Sequence, residues 1–186
     1  MCSSDLAGPK PQIERAAAEA AKRSLRARVL PVSAAFHSPL VADARERFAA
    51  ALAEVEFTEA RIPVFSNTTA AVYPSAPAAS RDLLASHLAK PVDFIAEIRA
   101  MHAAGATTFL EVGPGRVLSD LAAAILADTG AETVALDASR GARNGTLDLA
   151  TALCRLAALG HTVNLAKWEI RSEEHTSELQ SLRHLV

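Results

Sequence analysis

Phe109-Leu110-Glu111-Val112-Gly113-Pro114-Gly115-Arg116-Val117-Leu118-Ser119-Asp120-Leu121 is the stretch that decides the fold. With the two threonines before it, its first half is β-branched and aromatic, which predicts a strand over 107–112. Gly113-Pro114-Gly115 breaks that pattern and turns the chain. After Arg116 the apolar residues recur at helical spacing, so Val117, Leu118, Leu121, Ile125 and Leu126 are expected on the buried face of a helix. Thr133 to Leu136 is a second β-branched run. Strand, tight turn, helix and strand in this order predict parallel pairing. The glycine turn with Arg116 could hold a phosphate at a helix N-terminus. It has neither GxGxxG nor GxxxxGK[ST] spacing, however, and reads better as a tight strand-to-helix connection. Glu111 is an acid–base candidate with no second carboxylate near it in sequence.

The flanks repeat the alternation. Downstream, Ser139 to Gly145 is a loop and about 147–159 a helix, with Cys154 read as a small core residue. Upstream, helices are expected at about 80–89 and 92–104, separated by Pro91 and ended by Gly105. Asn67 to Pro77 reads as a loop, and Ile62 to Ser66 as a short strand. Ser38-Pro39 is a helix start, a hydroxyl N-cap followed by proline at the first helical position. Leu40, Ala44, Phe48, Ala51, Leu52 and Val55 form the expected buried stripe of that helix. Ala27 to Val32 is a β-like run. Residues 11–23 predict a helix with Ile13, Ala17, Ala20 and Ser24 on one face and Arg15–Glu19 and Glu19–Arg23 spaced to pair on the other. The whole is α/β with mainly parallel pairing.

Composition narrows the function. Of 186 residues half are apolar, but 41 are alanine, which favours packed helices. A net charge of −2 excludes nucleic-acid binding by bulk charge. No apolar run approaches the roughly 20 residues that span a bilayer, and Met1 to Leu6 is not a secretory signal. Cys2 and Cys154 make no disulfide framework, so a reducing cytoplasm is expected. With no HExxH or CxxC, no metal site is expected, and His87, His102 and His161 have no partner at metal-ligand spacing.

His37 is the strongest catalytic candidate. It follows a predicted strand and precedes a helix N-cap, where the positive end of the helix dipole favours a neutral imidazole able to accept a proton. On spacing alone it also reads as a loop histidine that only hydrogen-bonds.

The two ends look foreign to the rest. Arg171 to Thr176 can be encoded by AGATCGGAAGAGCACAC, whose reverse complement reads Met (as a GTG start), Cys, Ser, Ser, Asp, Leu, the sequence of residues 1–6. Both resemble a translated sequencing adapter, so 1–6 and 171–186 are expected to be artefact. Without them the chain has 17 basic and 17 acidic residues and no net charge.

Four blocks, LPVSAAFHSPL (30–40), IPVFSN (62–67), KPVDF (90–94) and FLEVGPGRVLSDL (109–121), together resemble the C-terminal half of malonyl-type acyltransferase domains. Such domains belong to modular polyketide synthases and multidomain fatty-acid synthases, and are similar to stand-alone malonyl-CoA:acyl-carrier-protein transacylases. The resemblance covers about 8–137 and implies an α/β-hydrolase-like core with a ferredoxin-like small subdomain. It further implies a Ser–His mechanism: a serine in a GHSxG elbow takes the acyl group from malonyl-CoA, and the phosphopantetheine thiol of an acyl carrier protein receives it. His37 matches the family's general-base histidine. Phe36 matches a substrate-binding position where a bulky aromatic goes with malonyl selection. Ala34 departs from the histidine often found there. No bound cofactor is implied, and the partners are the acyl carrier protein, malonyl-CoA and neighbouring synthase domains.

On this reading 7–32 is a remnant of the ferredoxin-like subdomain, 33–138 the C-terminal part of the acyltransferase core, and 139–170 a post-acyltransferase linker segment. The serine elbow would precede residue 7, so the polypeptide as written is expected to be an inactive piece of a larger transferase. A stand-alone transacylase and a non-catalytic carrier-protein docking remnant are the alternatives.

Overall fold

The computed structural model describes residues 6–30 and 35–164. The expectations for Val32 and Ala34, and for 1–5 and 171–186, lie outside the described residues. The chain divides between Gly105 and Ala106 into two compact units.

The first unit opens with α1 (Lys10–Lys22). Ile13, Ala17 and Ala20 are half-covered as predicted, with Ala16 beside them, whereas Ser24 is exposed beyond the helix end. Glu19 pairs with Lys22 at 3.2 Å and with Arg23 at 3.5 Å. The expected strand at 27–32 is not found over the described residues 27–30, which are exposed and belong to no sheet. A strand needs a neighbour to satisfy its backbone, and apolar content alone supplies none.

Ser38 caps as expected: its hydroxyl accepts the Leu40 N–H at 3.3 Å. The first turn, Pro39–Val41, is 3-10, and α2 (Ala42–Ala53) follows. The predicted stripe is mostly not buried. Leu52 is buried and Phe48 half-buried, while Leu40, Ala44, Ala51 and Val55 face outward.

Strand β1 is only Phe65–Ser66 and pairs antiparallel with β2 (Ala71–Val72). This hairpin falls partly in the stretch expected to be loop. The Ser66 carbonyl accepts the N–H groups of Thr69 and Ala70, and Ala70 takes a φ of 52° to turn the chain back. Helix α3 (Pro77–Ser86) starts three residues before its expected position, with proline at its first turn. It tightens into a 3-10 turn at His87–Ala89, and Lys90 is extended. A residue before proline is driven out of the helical region, and Pro91 follows Lys90. The Asp93 carboxylate then accepts the Ala96 N–H at 3.1 Å and caps α4 (Phe94–Ala103).

In the second unit β3 (Thr108–Pro114) and β4 (Glu132–Asp137) pair in parallel, from Thr108 opposite Glu132 to Pro114 opposite Asp137. Helix α5 (Val117–Ile125) connects them, and α6 (Gly145–Ala158) follows, capped by Asn144. The βαβ order and the parallel pairing are as expected. The buried face of α5 agrees at Leu126, which is buried, and at Ile125, which is half-buried, but Ser119 and Ala122 are covered where Val117, Leu118 and Leu121 are exposed. Cys154 is exposed too, correcting its placement in the core. Ala152, three residues after Leu149, is the deeply buried residue of that helix along with Asp148. The core of this unit is Ala122, Leu126, Val134 and Ala152.

Candidate active site

His37 sits in the Ala35–Ser38 corner ahead of α2. The Ser38 hydroxyl locks that corner, donating to the Ala35 carbonyl at 2.6 Å while it caps Leu40. His37 itself has a φ of 60°, the left-handed region that a non-glycine residue adopts only under local constraint. The constraint is visible. Its N–H donates to the Leu88 carbonyl at 2.9 Å, and its ring Nδ1 lies 2.9 Å from the His87 carbonyl. Two successive carbonyls of the 3-10 turn therefore hold one residue from 50 positions earlier in the chain.

That geometry sets the tautomer. A carbonyl oxygen only accepts, so Nδ1 must carry the proton it donates. In the neutral ring the lone pair is then on Nε2, which becomes the basic atom. Phe36, next to His37, is 47% exposed.

The His87 ring joins a second cluster that spacing did not reveal. Its Nε2 lies 3.0 Å from the Ser66 hydroxyl and 3.1 Å from the Tyr73 hydroxyl, with the Tyr73 ring tilted against it at 5.8 Å. Burial holds the His87 pKa below 6.5, and the neighbouring His37 and Lys90 push it the same way. Burial pushes Tyr73 above 10.0, and the Glu97 carboxylate adds to the rise. The Ser66–His87 distance would suit a nucleophile and its base, but Ser66 has no solvent exposure, so no substrate reaches it. Ser66 and Tyr73 precede His87 by 21 and 14 residues, with no local spacing that links them to it.

The glycine turn is scaffold. Both Glu111 carboxylate oxygens are used at the start of α5, accepting the N–H groups of Leu118 and Ser119 at 3.2 and 2.8 Å and the Ser119 hydroxyl at 2.8 Å. Burial pushes the Glu111 pKa up, yet these hydrogen bonds outweigh it and leave the group below 4.5. This carboxylate is thus a helix cap and not an acid–base group. It also occupies the amides that a phosphate would need. Arg116 pairs with Asp120 at 2.8 Å. Among the described residues, no group of three or more His, Cys, Asp and Glu could hold a metal ion.

The Acyl transferase domain family matches residues 3–161. The chain is 37% identical over 177 residues to polyketide synthase GfsA of Streptomyces halstedii, covering 92% of this chain and 2% of the synthase. It is 39% identical over 107 residues to malonyl CoA-acyl carrier protein transacylase of Bacillus subtilis, covering 56% of this chain and 33% of that enzyme. Among solved structures, the acyltransferase domain from the second module of the salinomycin polyketide synthase superposes with a TM-score of 0.75 at 28% identity. That superposition covers 86% of this chain and 37% of that domain's chain. The chain thus spans a third or less of the curated relatives described here. Matched by the family over residues 3–161, the chain belongs to the acyl transferase domain family.

Proposed function

We propose that the chain is the C-terminal part of an acyltransferase that moves a malonyl group from CoA to the phosphopantetheine thiol of an acyl carrier protein, with His37 as general base. The observation that carries this is the His87 carbonyl on His37 Nδ1, which leaves Nε2 basic. In the first step, the nucleophilic serine gives its hydroxyl proton to His37 Nε2 while its oxygen attacks the malonyl thioester carbonyl. The carbon–sulfur bond breaks, and the departing CoA thiolate takes the proton from His37. In the second step, the carrier thiol gives its proton to Nε2 and attacks the acyl-serine ester. The carbon–oxygen bond breaks, and the proton returns to the serine. Phe36 lines the acyl pocket, where its ring crowds an α-methyl branch; one methyl is worth about 1–3 kcal/mol. The reaction needs no resident cofactor.

The sequence 1–186 holds no GHSxG motif. As written it is therefore inactive, the serine being supplied by upstream sequence. The fold in this reading is part of an α/β-hydrolase-like core, with 7–32, including α1, the remnant of a ferredoxin-like subdomain. Residues 1–6 and 171–186 are adapter-derived, and resequencing through Leu6 and Arg171 checks this. The longer match to a polyketide synthase than to the transacylase supports a synthase module, with 139–170 as its post-acyltransferase segment and neighbouring domains as partners. Among the described residues no helix is long and apolar enough to cross a membrane, and the proposed site of action is the cytoplasm.

The test is malonyl transfer from labelled malonyl-CoA to an acyl carrier protein. The complete gene product, with its serine elbow, is expected to transfer, and purified 1–186 is not. Transfer by 1–186 would refute the reading of this chain as an incomplete catalyst.

A further inference from the structure

We propose that the His87 side chain, held by Ser66 and Tyr73, is a positioning device that keeps His37 in its Nε2-basic tautomer. This rests on the reading of His37 as the general base.

The chain of contacts is short and continuous. His37 is oriented by two carbonyls, those of His87 and Leu88. Both belong to the single 3-10 turn His87–Ala89, whose hydrogen bonds are geometrically poorer than those of an α-helix and give it little rigidity of its own. The residue at the head of that turn is the one whose ring reaches back to the β1–β2 hairpin. Ser66 Oγ already accepts the Thr68 N–H, so its hydroxyl hydrogen is available to His87 Nε2. Tyr73 Oη approaches the same nitrogen. The Tyr73 N–H is bonded to the Val64 carbonyl at 2.7 Å, which ties this second hydroxyl to the hairpin backbone. The hairpin loop is in turn tied to the entry of α4, where the Asp93 N–H donates to the Asn67 carbonyl at 2.6 Å. The ring therefore pins the turn at its first residue, and the pinned turn presents both carbonyls to His37. The lowered pKa of His87 fits a ring that stays neutral, with its single Nε2 lone pair facing the two hydroxyls. Protonation would forfeit that acceptor and place a positive charge beside the His37 ring.

The test is the ring tautomer of His37, read from two-bond proton–nitrogen correlations in the nitrogen-15-labelled full chain, with His37→Gln to assign its signals. The wild-type ring is expected as Nδ1–H. In His87→Ala, the ratio of Nδ1–H to Nε2–H forms is expected to fall about fivefold, the worth of one net hydrogen bond. His87→Gln, whose amide reaches the position of Nε2, is expected to restore most of it. Ser66→Ala and Tyr73→Phe remove one hydroxyl each and keep the test open if His87→Ala fails to fold; each is expected to lower the ratio. An unchanged ratio in a folded His87→Ala, or in both hydroxyl variants, would overturn the proposal. The underlying reading fails separately: if His37→Ala in the complete gene product leaves transfer intact, His37 is not the base, whatever its tautomer.

Discussion

At Gly115 two constraints fall on one residue. Its φ is +104°, and a Cβ there would stand 2.5 Å from the Arg140 Nε. The guanidinium can swing aside, so the backbone cost dominates. Gly115→Ala is expected to destabilise the second unit by about 1–2 kcal/mol, measured by urea unfolding. Glu111 carries a different burden, since its carboxylate serves two amides and a hydroxyl at the head of α5. Glu111→Ala is expected to cost about 1–2 kcal/mol in the same measurement, the range for loss of a helix cap. Because the folded pKa of Glu111 lies below 4.5, its contribution is full above that value and fades as pH falls through the folded one. If Glu111 is an acid–base group and not a cap, the variant keeps its stability.

The element that matters most for the site is the turn His87–Ala89. The His87 pKa in the folded state lies below 6.5, so below that pH the unfolded chain binds more proton than the folded one. Stability from the neutral ring is therefore present above about 6.5 and is lost as pH falls through the folded value. Thermal unfolding from pH 7.5 to 5 is expected to show a falling midpoint in wild type and a shallower fall in His87→Gln. Glu97, raised above 4.5 by burial, pulls the other way at lower pH, and subtracting the two curves removes it. Local signals predicted much at this scale. Ser38-Pro39 and Pro91 marked helix boundaries because capping and proline sterics act within a few residues. The βαβ order of 107–137 was legible for the same reason. The hairpin strand Ala71–Val72 was not, since two residues among small polar ones carry no periodicity. Nor was the His37–His87 pairing, because contact across 50 residues is decided by packing. His87 looked idle for want of a neighbour at metal spacing, a criterion blind to backbone carbonyls.

Across the whole chain, apolar surface that sequence periodicity assigned to a core lies bare in each unit. In the first unit these residues include Leu40 and Val55, and in the second Val117, Leu118 and Leu121 on α5; Ile62, Leu110 and Val112, from the predicted strands, are exposed as well, Val112 at 75%. Periodicity reports which face is apolar, and cannot report whether the element that covers it is present. A chain spanning 37% of a solved acyltransferase chain is expected to leave such faces uncovered. The 186-residue chain should therefore enhance the fluorescence of anilinonaphthalene sulfonate at neutral pH, and absence of any enhancement would show these faces closed. The central claim is that His37 is the base of an acyl transfer, and the most direct measurement is the transfer rate of His37→Ala in the complete, serine-containing gene product. A loss of about 10²–10⁴-fold in kcat, the usual worth of a general base, is the expected result. Transfer at near wild-type rate would contradict it.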